Sequence, residues 1–99
     1  MDFIIEAELE DIDQLAELFD YYRIFYQQLS DLQGAKQFLT DRISNGESKI
    51  YIAIHSDAII GFVQLYPIFS STKMKRMWLL NDLFVLSEYR GRGISKQLI

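Results

Sequence analysis

Asn81-Asp82-Leu83-Phe84-Val85-Leu86-Ser87-Glu88-Tyr89-Arg90-Gly91-Arg92-Gly93-Ile94 passes from an apolar strand through a glycine loop into a helix. Its first half continues Met77-Trp78-Leu79-Leu80, a run long and apolar enough for a central strand. Ser87-Glu88-Tyr89 reads as a turn, and Ile94-Ser95-Lys96-Gln97-Leu98-Ile99 begins a helix. A buried strand that runs through such a loop into a helix is a device for holding phosphate. The first helical N–H groups have no intrahelical partner, the dipole there is positive, and glycine puts no Cβ in the anion's way. Arg90 and Arg92 add two guanidinium groups. Gly91 and Gly93 equally suit a strand-to-helix turn that needs them only for backbone geometry.

Upstream, Asp2-Phe3-Ile4-Ile5-Glu6-Ala7 reads as a short strand. Ile12, Leu15, Leu18, Phe19, Tyr22, Phe25 and Tyr26 recur at helical spacing, and Asp11 with Gln14 resembles a capping box. Tyr21, Tyr22, Phe25 and Tyr26 are expected in the core. Leu29 to Gln33 reads as a loop, followed by a second helix with Ala35, Phe38, Leu39, Arg42 and Ile43 on one face and Asn45-Gly46 as a left-handed cap. From Lys49 the period changes to that of strands: Ile50 to His55 and Ala58 to Tyr66, joined by Ser56-Asp57, form a β-hairpin. Pro67 is expected to bend or end its second arm. The order is βααβββα in one domain spanning residues 1–99.

Ninety-nine residues, 49% apolar and 24% charged, fit one globular domain rather than a disordered chain. The absence of cysteine and the single histidine, His55, exclude a disulfide framework and a thiolate or imidazole metal cluster. The longest apolar runs fall far short of the roughly 20 residues that cross a bilayer. Met1-Asp2-Phe3 lacks a basic leader. These features exclude a membrane protein and predict a soluble chain in a reducing cytoplasm. Met1 to Phe69 carry 4 basic and 12 acidic residues, Ser70 to Ile99 carry 6 basic and 2 acidic. An acidic whole argues against nucleic acid as partner. A locally basic end suits a single anionic ligand, or is simply a solvated face.

Two phosphate loops are excluded by spacing. Gly-x-x-x-x-Gly-Lys-Ser/Thr is absent, and Gly-x-Gly-x-x-Gly fails at Lys96. The residues instead resemble the GNAT superfamily of N-acetyltransferases. Its acetyl-CoA signature, Gln/Arg-x-x-Gly-x-Gly/Ala after a strand, is matched by Arg90-Gly91-Arg92-Gly93-Ile94-Ser95 except at the last position. The order βααβββ upstream is also that family's. The resemblance implies a mixed, mostly antiparallel sheet flanked by helices, with acetyl-CoA as the cofactor. It further implies that the backbone of Leu83, Phe84 and Val85 binds the pantetheine arm, while Arg90, Gly91, Arg92, Gly93, Ile94, Ser95 and Lys96 wrap the pyrophosphate.

Acetyl transfer to an amine needs a base for the ammonium, donors for the carbonyl oxygen as it gains charge, and an acid for the leaving thiolate. Asn81 stands where the similar diamine (spermidine/spermine) acetyltransferases carry a glutamate. Its amide cannot accept that proton, although it can orient a water. Asp82 is the nearest carboxylate, turned by strand alternation to the opposite face from Asn81. It reads as a base or, more often for such residues, as a buried hydrogen-bonded acid. His55, at a strand end, is expected to be an exposed polar residue. Tyr22, Tyr26 and Tyr66 are the residues expected to touch the acceptor, and the acidic first part favours a cationic small amine. The family's usual tyrosine acid lies beyond the C-terminus, which implies a truncated domain whose exposed Leu83 to Val85 edge pairs into a homodimer or larger assembly. The rival expectation is a non-catalytic coenzyme A-binding or interaction module.

Overall fold

The period-two segment from Lys49 onward forms the centre of the molecule. In the computed structural model, which describes residues 2–99, the strands are β1 (Asp2–Glu6), β2 (Lys49–His55), β3 (Ala58–Ser70) and β4 (Lys75–Val85). The helices are α1 (Ile12–Phe25), α2 (Leu32–Ser44) and α3 (Ile94–Leu98), with 3-10 turns at Leu9–Asp11 and Ser87–Tyr89. The strands lie in the order β1-β2-β3-β4, and each neighbouring pair is antiparallel. Ser56 and Asp57 both take positive φ, 50° and 67°, the backbone of a two-residue hairpin turn. The expected order βααβββα is therefore present.

Alternation along the strands divides the core in two. Ile50, Ile52 and Phe62 face α1 and α2, where they pack on Leu15, Ala16 and Leu39. Ala53, Ile60, Val63 and Val85 face the other way, against Ile94 and Leu98 of α3. Each helix thus buries its apolar stripe against one side of the sheet. Gly46, at φ 64°, closes α2 with the expected left-handed cap.

Several local expectations are corrected. The Asp11 carboxylate does not box the start of α1. It accepts the Glu8 N–H (2.9 Å) across the preceding turn, while the Gln14 side chain accepts the Ile59 N–H from β3. Helix α2 starts at Leu32, inside the expected loop, because Asp31 caps it by accepting the Gly34 N–H at 2.9 Å. Strand β3 runs past Pro67 to Ser70. Beyond Leu65 it has left β2 behind and pairs only with β4, so an imino nitrogen on the open side breaks no ladder bond. Tyr21, Phe25 and Tyr26 are each 60% exposed rather than in the core, since the end of α1 overhangs the sheet. His55 is half-buried, its ring centroid 5.3 Å from that of Tyr89.

Strand β4 contains one irregularity that matters for the site. Gln64 pairs with Asp82 but Leu65 with Leu80, so Asn81 is an extra residue, a β-bulge.

Candidate functional site: two cavities that meet at Tyr26

Strand β4 is the last in the sheet, and its outer edge has no strand beside it among the described residues. The Leu86 N–H reaches inward to the Ile60 carbonyl (2.8 Å). Main-chain groups alternate along a strand, so those of Phe84 also turn to β3. A Cβ built on Gly61 would stand 3.1 Å from the Phe84 carbonyl oxygen, which agrees. Leu83 and Val85 face the open edge. The expectation that all three residues offer backbone hydrogen bonds is corrected to these two, with Phe84 contributing its ring.

A cavity of about 250 Å³ lies along this edge, walled by Phe25, Tyr26, Leu83, Phe84 and Val85 and, from the loop, by Tyr89, Arg90, Gly91, Ile94 and Ser95. Gly91 and Gly93 take positive φ, 82° and 77°, and no atom lies within 4 Å of where either Cβ would stand. The loop is therefore open to an incoming group, and the two glycines are required by conformation rather than by crowding. Arg90 does not point out toward an anion: its Nε donates to the Val85 carbonyl (2.8 Å), and its guanidinium lies 5.6 Å from the ring centre of Phe25 and 5.3 Å from that of Phe84. Arg92 lies over Tyr89 at 5.1 Å. Arg92, Gly93 and Lys96 are exposed and outside the wall of this cavity, while the Ile94 side chain is buried in the core.

A second cavity, of about 500 Å³, opens between α1, α2 and the sheet. It brings together Tyr22, Tyr26, Tyr66 and Asp82, four residues singled out from the sequence. Asp82 is 9% exposed; the Tyr22 hydroxyl donates to its Oδ1 and the Gln64 amide to its Oδ2, both at 2.9 Å. Burial, then the bond and charge of Asp82, push the Tyr22 hydroxyl pKa well up. Burial and the same carboxylate raise that of Tyr66. Both hydroxyls are neutral donors at ordinary pH. Asn81 is exposed and lines neither cavity, so the bulge sends the two candidate catalytic residues apart. Tyr26 lines both cavities and is their shared wall.

A strand edge, a glycine loop and a neighbouring carboxylate pocket thus occur together, and residues 10–99 match the sequence profile of the acetyltransferase (GNAT) family. The chain belongs to that family. It is 50% identical over 96 residues to the uncharacterised N-acetyltransferase YhfO of Bacillus subtilis, covering 97% of this chain and 64% of that protein. A crystal structure of a probable acetyltransferase superposes with a TM-score of 0.92 at 44% identity, over 97% of this chain and 65% of its own. A crystal structure of a predicted acetyltransferase with acetyl-CoA, from Clostridium acetobutylicum, has the same fold (TM-score 0.80, 18% identity), covering 98% of this chain and 68% of its own. The chain therefore spans just under two thirds of the length of its nearer GNAT relatives described here. No helix among the described residues is long and apolar enough to cross a membrane.

The sequence did not single out Gln64 or Phe25 as site residues of this GNAT domain. Gln64 had a signal: it is the one polar side chain in the run Ile59 to Leu65, and it is fully buried. Phe25 had none, because helical spacing does not reveal where a helix outruns its sheet.

Proposed function

We propose that this chain binds acetyl-CoA along the β4 edge and the Gly91 to Ser95 loop, and that the complete domain transfers the acetyl group to a small amine by direct attack in a ternary complex. The observation that carries this reading is Tyr26, which lines both the edge cavity and the carboxylate pocket. A donor and an acceptor held in the two cavities would meet there without a covalent enzyme intermediate.

The residues present suit the cofactor. Leu83 and Val85 would hold the amide groups of an extended arm as an added strand does. The loop and the first turn of α3 would present main-chain N–H groups to the pyrophosphate, with Arg92 and Lys96 beside them. Ser95 is small enough for that role, and its hydroxyl adds a donor. Arg90 would release the Val85 carbonyl as the arm binds. Acetyl-CoA, when bound, supplies the acetyl group as an activated thioester. Attack by the amine forms the N–C bond as the C–S bond breaks, with loss of the ammonium proton and protonation of the thiolate. Asp82 is held by two donors and Asn81 lies outside the pocket, which supports a water as carrier of the ammonium proton. The reaction belongs where acetyl-CoA is held, in the cytoplasm.

The rival reading, a non-catalytic coenzyme A-binding module, is favoured by one observation: Asn81 carries an amide, which cannot accept the ammonium proton, and lines neither cavity. The open β4 edge also supports pairing with a second copy of the chain, for which light scattering should give a mass above the monomer's. The deciding experiment is thermal protection by acetyl-CoA, ATP and NAD, followed by a screen of amines for thiol release. Protection by acetyl-CoA alone, with turnover of one amine class, is expected. Equal protection by ATP would refute the donor assignment, and binding without any turnover would select the module.

A further inference from the structure

The larger cavity carries information about its occupant. Phe19 and Phe38 stack on one side, ring centres 5.8 Å apart and planes at 8°. Ala35 and the rings of Tyr22, Tyr26 and Tyr66 complete most of the wall. Its charged groups are three. Arg23 is already matched, donating to the Leu29 carbonyl at 3.0 Å and lying 3.6 Å from Asp20. Asp31 is exposed and its Oδ1 caps α2. Asp82 is buried, and each of its oxygens accepts a single bond within the chain. A carboxylate has about four acceptor positions, so one remains on each oxygen.

Resting on the acetyltransferase reading above, we propose that this pocket is specific for a primary monoamine carried on an apolar, flat or aliphatic body, with the ammonium anchored on Asp82 and the aromatic rings of its wall. A buried carboxylate without a matching cation among the described residues favours a cation from the ligand, and aromatic faces add attraction for an ammonium. Apart from Gln28 and the already engaged Arg23 and Asp31, the rest of the wall is mostly aromatic and aliphatic, so a polyhydroxylated body such as an amino sugar would leave most of its hydroxyls desolvated and unpaired. A polyamine would bring further ammonium groups into a cavity whose only buried carboxylate is Asp82. About 500 Å³ is in the range of pockets that enclose small organic ligands. In this role Asp82 is a binding and positioning residue.

The test is calorimetric binding of four probes to this chain in the presence of coenzyme A, which fills the donor cavity without an acetyl group to transfer: 2-phenylethylamine, its neutral isostere 2-phenylethanol, glucosamine and spermidine. The aromatic amine is expected to bind about tenfold or more tightly than each of the others, from a charge-assisted bond that only it makes on an apolar body. In Asp82→Asn the preference for amine over alcohol should fall to near unity. That variant should fold, because the Gln64 amide, which now points its Nε2 at Asp82, can turn over so that the new amide donates to its Oε1, while the new side-chain oxygen still accepts from Tyr22. The comparison of amine with alcohol on the parent chain needs no variant. Equal binding of amine and alcohol, tighter binding of glucosamine or spermidine, or an unchanged preference in Asp82→Asn would overturn the proposal. Acetyl-CoA binding measured alone separates the two levels: loss of amine selectivity with the cofactor still bound refutes the anchor, whereas failure of the cofactor to bind refutes the acetyltransferase reading.

Discussion

Asp20 fastens the segment that connects α1 to α2, and its removal has a calculable consequence. The carboxylate is 8% exposed; the Ser30 hydroxyl donates to its Oδ2 (2.6 Å), the Asp31 N–H to its Oδ1 (2.8 Å), and Arg23 lies 3.6 Å away. The Ser30 bond first, then the Asp31 bond, hold its pKa below the usual carboxylate value against the opposing effect of burial. Hydrogen bonds to a charged group contribute about 1.5–3 kcal/mol each. Both donors are on an exposed loop and regain water when released, so Asp20→Ala should cost about 2–3 kcal/mol at pH 7 in total. Against a stability of about 5–15 kcal/mol for a domain of this size, that loss is easily measured. It corresponds to a fall in Tm of roughly 10–20 °C. Asp20→Asn can keep both contacts by donating to Ser30 and accepting from Asp31, and should lose only the charge-assisted share, about 1 kcal/mol. A lowered folded pKa means that the contribution is complete above the unfolded value near 4 and is lost as pH falls through the folded value. Urea unfolding at pH 7, 5 and 3 should therefore give a gap between parent and Asp20→Asn that is constant from 7 to 5 and closes toward 3. A gap that does not narrow at all between pH 5 and pH 3, or an Asp20→Ala variant as stable as the parent, would refute this account.

Gly93→Val should lose most acetyl-CoA affinity while costing only about 1–2 kcal/mol of stability, since φ is 77° but the space around it is empty; calorimetry and thermal melts separate the two effects. Arg92→Ala should weaken acetyl-CoA binding severalfold at most, because main-chain donors dominate the loop; a titration at two salt concentrations checks this. Phe62→Ala, at a side chain 1% exposed in contact with Phe19, Tyr22 and Phe84, should cost about 3–5 kcal/mol, read by urea unfolding. The raised pKa of Tyr22 implies stability that is complete below its unfolded value near 10 and lost as pH rises above it. Tyr22→Phe should therefore be less stable than the parent by about 1–2 kcal/mol at pH 7 and closer to it at pH 11 by circular dichroism.

Elements whose determinants are local could be read from the sequence. The β2–β3 hairpin needs only two alternating runs and a turn, and the glycine loop is a single uninterrupted word. Where the determinant lay far along the chain, local pattern misled. Gln14 looked like a capping residue because its real partner, the Ile59 N–H, is 45 residues away. The start of α2 was hidden by Gly34, a poor helix former in the first turn, and depends on the Asp31 side chain that accepts its N–H. Tyr22, Tyr26, Tyr66 and Asp82 could be named individually, but their convergence on one cavity depends on α1, β3 and β4 being packed together.

The bulge at Asn81 sets which residues of β4 border that pocket. Asp82 and Phe84 of β4 share the face turned to α1, where they meet Tyr22. Strict alternation would put Leu80 and Trp78 on the same face and Leu79 on the opposite one. One extra residue reverses this below the bulge: Tyr66, which lines the acceptor pocket, is paired with Leu79, and Leu65 with Leu80. Cross-strand partners share a face, so Leu79 and Met77 continue the pocket side, while Leu80, Trp78 and Arg76 turn to the other. A one-residue slip exchanges every side chain between faces, and here it does so only beyond Asp82. The carboxylate keeps its Gln64 partner across the strands, and the bulky, basic-flanked Trp78 is kept away from the mouth of the pocket. Asn81 therefore acts on the site without touching either cavity: as the inserted residue it sets which face of β4 the acceptor meets.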